Sequence, residues 1–269
     1  RAVIRSSVRE HLCGEAMFGL GIPSSRSLML FGSNEPVMRE ETERGAMIVR
    51  TAKTHIRFGH FEYFHHNKIA DGVKTLLDHV IDCYYPDTKQ DSDKYLLFLD
   101  ATVKKTAHMV SAWQSVGFNH GVMNTDNMSI LGETFDYGPY AFMETYNPNY
   151  ICNHTDSQGR YSFSNQPSIA EWNCYALASA LIDLFSETEL RDILNKFNDY
   201  FYDSLIEKYR KKLGFKSALD SDYDLLLGLF EIMEREKLDY TNTFRDLSMI
   251  ITSSDLSLIH ISEPTRQSL

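Results

Sequence analysis

The segment HGVMNTDNMSILGETFDYG, residues 120–138, concentrates oxygen and imidazole groups beside short apolar runs. Two interpretations are open. Asn, Asp and Gly are the residues that any tight turn recruits, so the segment could be a simple hairpin. The same groups could also form an acid/base and metal-ligand set for handling a nucleotide. The polar residues concerned are His120, Asn124, Asp126, Asn127 and Asp136.

A hairpin would bring two of these side chains together. Two short strands, Met128 to Leu131 and Phe135 to Tyr137, are predicted on either side of a turn at Gly132. Pairing across that turn would place Asn127 and Asp136 close to opposite each other. Both could then reach one Mg²⁺ ion, which takes oxygen ligands and usually keeps several waters. The segment therefore predicts a site for a metal-bound nucleotide.

The other groups of the segment suggest further roles. Asp126 would project in a different direction from its neighbour Asn127 and could accept a proton from a hydroxyl nucleophile, as the catalytic-loop carboxylate of kinases does. His120 is expected to support the loop by hydrogen bonds rather than to act chemically. Residues 136–138, Asp-Tyr-Gly, are similar to the kinase D-F-G, in which the aromatic ring packs inward and Gly frees the turn.

The regions that flank the segment predict an α+β fold in two parts. A helix with a capping box formed by Ser7 and Glu10 opens the chain, and short apolar runs broken by Gly, Asn and Pro then indicate strands. The pattern becomes mostly helical afterwards. We therefore predict a small mixed lobe over residues 1–64, a larger helical lobe over residues 65–250, and a ligand between them.

Local signals mark several helix boundaries in the second part. Pro86 ends a helix with an apolar stripe, and a second long helix is predicted from about Lys94 to Val116. Pro167 fits the first turn of another helix. Ser186 and Glu189 form a capping box that opens a further helix, which is predicted to continue to the basic run at residues 208–212 as a solvated helix end.

Composition excludes several classes of function. The formal net charge of −10 argues against a nucleic-acid partner, because phosphate backbones are bound by clustered Lys and Arg. No apolar run is long enough to span a membrane. The four cysteines lack C-x-x-C spacing, which argues against a disulfide scaffold, and Cys152 with His154 has no second ligand pair for zinc. We expect a soluble, monomeric protein.

Four stretches of the chain resemble the selenoprotein O family, in the family's order and over roughly residues 1–250. The first is RAVIRSSVREHLCGEAMFGLGIPSSRSL at residues 1–28, and the second is GAMIVRTAKTHIRFGHFEYF at residues 45–64. The third extends the opening segment to HGVMNTDNMSILGETFDYGPYAFMETYNPNYICNHTDSQGRYSFSNQP, residues 120–167. The fourth is DYTNTFRDLS at residues 239–248.

The resemblance implies a protein-kinase-like fold and an adenylyltransferase activity. Members of the family move AMP from ATP onto Ser, Thr or Tyr hydroxyls of other proteins, with ATP bound in an orientation flipped relative to ordinary kinases. By match to the family motif, Asp126 would be the catalytic base. Asn127 and Asp136 would hold Mg²⁺ (or Mn²⁺), and Asp136 would thereby contribute to ATP binding.

The resemblance also assigns roles to three residues of the first part. Arg50 and Arg57 fall on the family's phosphate-binding arginines, and guanidinium groups suit phosphate oxygens. Without the family match, both would be interpreted as strand-end arginines in surface ion pairs. Glu10 matches a helix glutamate that is expected to pair with a lobe lysine, although the capping box offers it a local role and Glu15 is a weaker candidate one turn further on.

The chain also departs from the family pattern at both ends. The family's Gly-Asp-Gly, its paired lysine and its glycine-rich region would precede residue 1, so we expect feeble or no activity from these 269 residues alone. From Leu256 the sequence LSLIHISEPTR resembles the read-through of a sequencing adapter. Residues 251–269 are therefore predicted to be a non-native tail that replaces the family's C-terminal redox cysteines.

Two other functions use the same residues. One is a conventional kinase-like phosphotransferase, and the other is a nucleotide-binding pseudokinase scaffold. The predicted partners are ATP and proteins with hydroxyl side chains, in the bacterial cytoplasm or, for a eukaryotic source, in mitochondria.

Overall fold

A helix and a two-stranded sheet form the N-terminal part of the computed structural model, which describes residues 2–250. Helix α1 spans Ile4–Gly19. Strands β1 (Arg26–Met38) and β2 (Thr42–Thr51) then pair antiparallel. The presence of both helices and antiparallel strand pairs confirms a mixed α+β fold.

The start of α1 corrects one prediction. The helix begins at Ile4, so Ser7 does not cap it. Ser6 instead accepts a hydrogen bond from the Val3 N–H and donates one to the Val3 carbonyl at 3.3 and 3.0 Å, which satisfies the backbone one turn earlier than expected. Ser7 is buried in the first turn, and Glu10 points towards β2.

Helices dominate the rest of the described chain, and most predicted boundaries are confirmed. The long helix α4 spans Lys94–Ser115, and Pro167 is the second residue of α5. Ser186 accepts a hydrogen bond from the Glu189 N–H, while the Ser186 N–H donates to the Glu189 carboxylate. The other helices are α2 (Phe58–His66), α3 (Gly72–Tyr84), α5 (Gln166–Ser179), α6 (Glu187–Leu194), α7 (Phe197–Leu213), α8 (Asp222–Arg235) and α9 (Tyr240–Ile250).

The basic end of α7 is less solvated than predicted, and the helix before it is interrupted. The stretch predicted as one helix is broken between α6 and α7, where Leu194 and Phe197 are both buried in the main core. The ammonium of Lys212 donates to the Ser115 carbonyl at 2.7 Å and lies 3.9 Å from the centre of the Phe244 ring. Burial lowers the pKa of Lys212 to about 8.

The main core lies around α4. The side chains of Leu99, Val103, Val110 and Trp113 on this helix are at most 1% exposed, so α4 supports the elements packed on it from several sides. Trp172 on α5, in contrast, is 51% exposed and lies outside this core.

Three predictions about the organisation of the chain concern its boundaries. The predicted lobe boundary at residue 64 falls inside α2 and stays a prediction. The predicted tail at residues 251–269 lies outside the described residues. Within residues 2–250, no helix combines the length and the apolar composition needed to cross a bilayer.

Candidate nucleotide and metal site

Residues 120–138 form a loop rather than the predicted hairpin. Short strands β3 (Phe118–Asn119) and β4 (Ala141–Phe142) pair antiparallel and close the loop at its base. Inside it, Ser129 forms an antiparallel bridge with Arg57, and Thr134 forms a parallel bridge with Ser24. The two sides of the loop therefore pair with other parts of the chain and not with each other.

A close approach to α4 accounts for this difference. The turn exists, since the Gly132 N–H donates to the Ser129 carbonyl at 3.1 Å and Gly132 has a φ of +67°. A Cβ at position 132 would lie 2.8 Å from the Lys105 carbonyl oxygen, so only glycine fits there. Packing against α4 favours tertiary partners for the flanking residues over a local hairpin.

His120 connects the two halves of the loop by hydrogen bonds. Its Nε2 donates to the Phe135 carbonyl at 3.0 Å, and its Nδ1 accepts from the Val122 N–H at 3.4 Å. The side-chain amide of Asn127 donates to the Val122 carbonyl at 2.9 Å. These bonds require the neutral imidazole, and burial lowers the pKa of His120 accordingly. The predicted supporting role of His120 is confirmed by these contacts.

The Asp-Tyr-Gly stretch turns its aromatic ring inward, as predicted. Tyr137 is 3% exposed, its hydroxyl shares a hydrogen bond with that of Ser24, and its ring stacks beside His120. Asp136 adopts the left-handed conformation with a φ of +66°, which Asp tolerates better than most residues. The Gly138 N–H donates to the Asp136 carbonyl at 2.8 Å. The buried ring thus anchors a tight turn that leaves the Asp136 side chain partly exposed.

An ionic cluster joins α1, β2 and this turn. The guanidinium of Arg50 donates to both carboxylate oxygens of Glu10, one of them at 3.0 Å, and to Asp136 Oδ1 at 2.6 Å. Burial acts to lower the pKa of Arg50, but the two carboxylates outweigh it and raise that pKa above its usual value. Glu10 therefore makes an ion pair, with Arg50 as its partner, and Arg50 directly contacts the candidate metal ligand.

Arg57 reaches the same loop from its other side. The Phe58 N–H donates to the Met128 carbonyl at 3.0 Å, and the Ile130 N–H donates to the Ile56 carbonyl at 3.3 Å. This ladder places the Arg57 guanidinium 4.7 Å from the centre of the Phe135 ring. Its Nε is buried and has no hydrogen-bond partner within the described residues. A buried guanidinium nitrogen without a partner is costly unless an anion binds it, which fits a phosphate ligand.

The two remaining predicted residues lie at the start of this loop. Residues Thr125–Asn127 form one 3₁₀ turn, in which Asp126 is exposed and Asn127 is buried. A Cβ on Gly59 would lie 2.1 Å from Asp126 Oδ1. The absence of a side chain at Gly59 is therefore what lets the Asp126 carboxylate lie against the first turn of α2.

The loop carries two side-chain oxygen groups of the kind that magnesium prefers. The Asn127 amide nitrogen donates to the Val122 carbonyl, so the Oδ1 of Asn127 points away from that hydrogen bond. Asp136 adds a carboxylate. Across residues 2–250, no three His, Cys, Asp or Glu side chains gather into a metal site of their own. Mg²⁺ does not need such a cluster, because it is commonly bound by one or two protein oxygens together with waters and phosphates.

Several supporting residues carry no signal in the sequence. Gln166 accepts from the His120 N–H at 2.8 Å and donates to the Phe118 carbonyl at 3.0 Å, and Thr134 accepts from the Trp113 indole at 2.8 Å. Such contacts depend on the tertiary fold, so periodicity and spacing could not reveal them. Cys152 donates to the Asn119 side chain at 2.7 Å, as a structural thiol does.

The loop and the two arginines beside it place carboxylate, amide and guanidinium groups together. Residues 1–263 match the family model described as "Protein adenylyltransferase SelO". The chain belongs to this family, as its sequence motifs predicted.

Bacterial relatives carry a related name. The chain is similar to proteins named "Protein nucleotidyltransferase YdiU" from Erwinia tasmaniensis, with 52% identity over 248 residues, and from Vibrio cholerae, with 47% identity over 261 residues. The protein of that name from Aliivibrio salmonicida is 45% identical over 261 residues. These matches cover 92% to 97% of this chain but only 52% to 54% of each relative. The chain thus spans about half the length of these relatives.

Proposed function

We propose that the chain carries the ATP and metal site of a kinase-like protein adenylyltransferase, which moves AMP from ATP onto Ser, Thr or Tyr hydroxyls of proteins. The observation that supports this most is convergence on one loop. Arg57 approaches residues 126–136 through a backbone ladder on one side, and the Glu10–Arg50 pair meets Asp136 on the other. The family and the names of the relatives support the same reaction class.

Asn127 and Asp136 would hold Mg²⁺ (or Mn²⁺) through their side-chain oxygens. The metal would supply positive charge that orients and neutralises the phosphates. The hydrogen bonds through His120 and Val122 keep Asn127 in register with the backbone at Phe135, next to Asp136. The protein would thus present two oxygen ligands whose relative position does not depend on the nucleotide.

The two arginines would bind phosphate oxygens in different ways. Arg57 has a buried Nε without a hydrogen-bond partner among residues 2–250, so this nitrogen can bind a phosphate without giving up a bond there. Arg50 is held by Glu10 and also contacts Asp136, so it would exchange the Asp136 carboxylate for a phosphate oxygen when nucleotide binds. Glu10 keeps the Arg50 guanidinium oriented during that exchange.

Asp126 would act as the general base. Its carboxylate is exposed beside the first turn of α2, where a hydroxyl from a protein substrate can approach it. In the transfer step, the hydroxyl oxygen forms a bond to the α-phosphorus, the bond from that phosphorus to the bridging oxygen breaks, and pyrophosphate leaves. Asp126 takes the proton of the hydroxyl.

The wider setting follows from this chemistry. We propose that residues 1–64 and residues 65–250 correspond to a small and a large kinase lobe, with ATP between them. ATP as the donor favours the cytoplasm of a bacterium. The enzyme would act as a monomer on other proteins and not on nucleic acid, in keeping with a net charge of −10.

Intact-mass analysis of an acceptor protein tests the proposal. A version of the chain extended to the full length of the relatives is incubated with ATP, Mg²⁺ and the acceptor. We expect the acceptor to gain the mass of one AMP group, and the gain to disappear when Mg²⁺ is chelated. A gain of one phosphate group would instead identify a conventional phosphotransferase and overturn the proposal.

A further inference from the structure

A cavity lies on the α4 side of the loop at residues 120–138. It has a volume of about 590 Å³ and lies between α3, α4, α7 and the turn at Gly132. None of the six predicted site residues lines it. Its titratable lining residues are Lys53, Cys83, Tyr84, Lys105, His108, Glu133 and Lys208.

The cavity concentrates positive charge in a protein that is negative overall. Within residues 2–250, the ammonium groups of Lys53, Lys105 and Lys208 have no carboxylate oxygen within 4.0 Å. Lys105 donates to the Tyr85 hydroxyl at 3.0 Å, and Lys208 donates to the Ser204 hydroxyl at 2.7 Å. Neutral oxygens hold two of these ammonium groups in place without cancelling their charge.

The surroundings of Lys208 and His108 disfavour the charged forms of these side chains. Burial lowers the pKa of Lys208, and Lys211 adds to the effect. Burial also lowers the pKa of His108, helped by the charges of Lys208 and Lys104. A bound anion would relieve this repulsion.

One carboxylate in the cavity has an unused oxygen. Glu133 Oε2 is buried and has no hydrogen-bond partner in the described part of the chain. Burial raises the pKa of Glu133, while the charges of Lys53 and Lys105 act in the opposite direction. Such an oxygen would accept a hydrogen bond from a ligand that brings its own proton.

We propose that this cavity binds a small phosphate-bearing molecule that is protonated on the phosphate, with Lys53, Lys105 and Lys208 facing its anionic oxygens and Glu133 accepting its hydrogen bond. Lysines suit a phosphate group of this kind as mobile point charges. At neutral pH hydrogen phosphate carries a proton and sulfate does not, so the two tetrahedral anions separate the contribution of Glu133 from that of the lysines.

The chain offers its own reporter for the test. Cys83 is exposed and lines the cavity, whereas Cys13 and Cys174 are buried and Cys152 is half-buried elsewhere. Alkylation of each cysteine by iodoacetamide is followed by peptide mass spectrometry while inorganic phosphate is titrated. We expect phosphate to slow alkylation of Cys83 several-fold with saturation, and to leave the rate at Cys152 unchanged. Sulfate should bind about tenfold more weakly, a difference of about 1.4 kcal/mol.

Variants separate this cavity from other anion sites. Lys53→Gln and Lys105→Gln should each raise the Kd for phosphate about tenfold. Lys104→Gln is the matched control, because Lys104 precedes Lys105 on α4 but is exposed and lies over Tyr200. Glu133→Gln should remove the preference for phosphate over sulfate. Lys53 is exposed, so its variant tests the cavity even if Lys105→Gln alters folding.

Two ligand sources are distinguished by adding glycerol 3-phosphate as a second probe. This comparison is made at about pH 6, where a phosphate ester with its second pKa near 6 is about half protonated on the phosphate. Tighter protection of Cys83 by the ester would identify a phosphate monoester, and equal or weaker protection would identify free phosphate; either outcome supports the site. Absence of protection by both probes would overturn the proposal. So would equal binding of sulfate and phosphate, equal effects of Lys104→Gln and Lys105→Gln, or loss of protection in Arg57→Gln, which would place the anion at the nucleotide site.

Discussion

The loop at residues 120–138 meets the N-terminal part of the molecule through two contacts of different character. One is the backbone ladder that joins residues 56–58 to residues 128–130 and places Arg57. The other is the ionic cluster in which Arg50 contacts Glu10 and Asp136. The side chains of Phe58, Met128 and Ile130 beside the ladder are fully buried. The Asp136 side chain in the cluster, in contrast, is 44% exposed.

The backbone ladder is the rigid contact, and the ionic cluster is the contact whose partners can exchange. Buried backbone hydrogen bonds are costly to break without a replacement, so the ladder keeps Arg57 in one place. A half-exposed ion pair is worth little and is screened by salt, so Arg50 can release Asp136 when a metal or phosphate competes for them. We expect substitutions on the two sides to affect different measurements.

The largest effect is expected for Asp136, the residue shared by the ionic cluster and the proposed metal site. Asp136→Asn keeps the shape of the side chain and its tolerance of the left-handed conformation, but it removes the charge that would hold Mg²⁺. In the chain extended to full length, we expect AMP transfer to fall by about a hundredfold or more. Transfer is measured by intact mass of the acceptor.

The matched control for this substitution is Asp203→Asn, at an exposed position on α7. It should leave transfer unchanged. If Asp136→Asn also leaves transfer unchanged, Asp136 is not a metal ligand and the cluster with Arg50 is purely structural.

The next effect concerns Arg57, on the ladder side. Arg57→Gln should weaken ATP binding about ten- to hundredfold, because the charge-assisted bonds from the guanidinium to phosphate would be lost. The free energy of unfolding should change little, by about 0.5–1 kcal/mol for the contact with Phe135. Calorimetric titration with ATP and Mg²⁺ measures the first quantity, and denaturant unfolding measures the second.

Two companion variants sharpen this result. Arg160→Gln removes an exposed arginine that lies over Trp172 and should leave ATP binding unchanged. Arg50→Gln should reduce stability more than Arg57→Gln does, since it leaves Glu10 without its partner. A reversed pattern, with stability lost at Arg57 and only ATP affinity lost at Arg50, would exchange the roles assigned to the two sides.

Local signals in the sequence predicted the helical part well. The capping box at Ser186 and Glu189 and the position of Pro167 in α5 are confirmed, because each depends on hydrogen bonds within one turn. The predicted capping box at Ser7 and Glu10 is wrong, and the cause is again a set of hydrogen bonds within one turn. Ser6 forms the hydrogen bonds to the Val3 backbone instead. The Glu10 side chain is therefore available to pair with Arg50, forty residues away.

The predicted site residues lie on or beside one loop, but the predicted hairpin geometry of that loop is wrong. A hairpin across Gly132 is the simplest local solution, but the contact of Gly132 with Lys105 directs both sides of the loop to distant partners. The role of Gly59 beside Asp126 and the bonds of Gln166 to the loop also arise only from packing. Tertiary contacts of this kind leave no periodic pattern for a single sequence to reveal.

A smaller effect is expected from pH, through the imidazole that supports the loop. Burial lowers the pKa of His120 in the folded chain, so below about pH 6.5 the unfolded chain binds a proton that the folded chain does not. The contribution of neutral His120 to the free energy of unfolding is therefore fully present above that pH and decreases as the pH falls below it. From pH 7.5 to 5.5, His120 should contribute a loss of about 1 kcal/mol in the free energy of unfolding.

Guanidinium unfolding at both pH values measures this loss. His120→Gln should show a smaller decrease than the unmodified chain, although it is less stable at pH 7.5 because two hydrogen bonds are lost. His108→Gln serves as the comparison, because burial also lowers the pKa of His108 and its contribution must be subtracted. An identical pH dependence in His120→Gln and the unmodified chain would mean that His120 is protonated in the folded loop.

The smallest effect is expected at Glu10, on the ionic side. Glu10→Gln keeps a hydrogen-bond acceptor for Arg50 but removes one of the two carboxylate charges that Arg50 contacts. The free energy of unfolding should therefore fall by less than about 1 kcal/mol. The loss should shrink in about 1 M salt, where exposed charges are screened beyond about 3 Å. Glu15→Gln, which breaks a more exposed pair with Arg26 on the same helix, should cost less than Glu10→Gln. A loss at Glu10 that salt leaves unchanged would mean that the contact between Glu10 and Arg50 is as rigid as the ladder, and only the contact between Arg50 and Asp136 could then exchange.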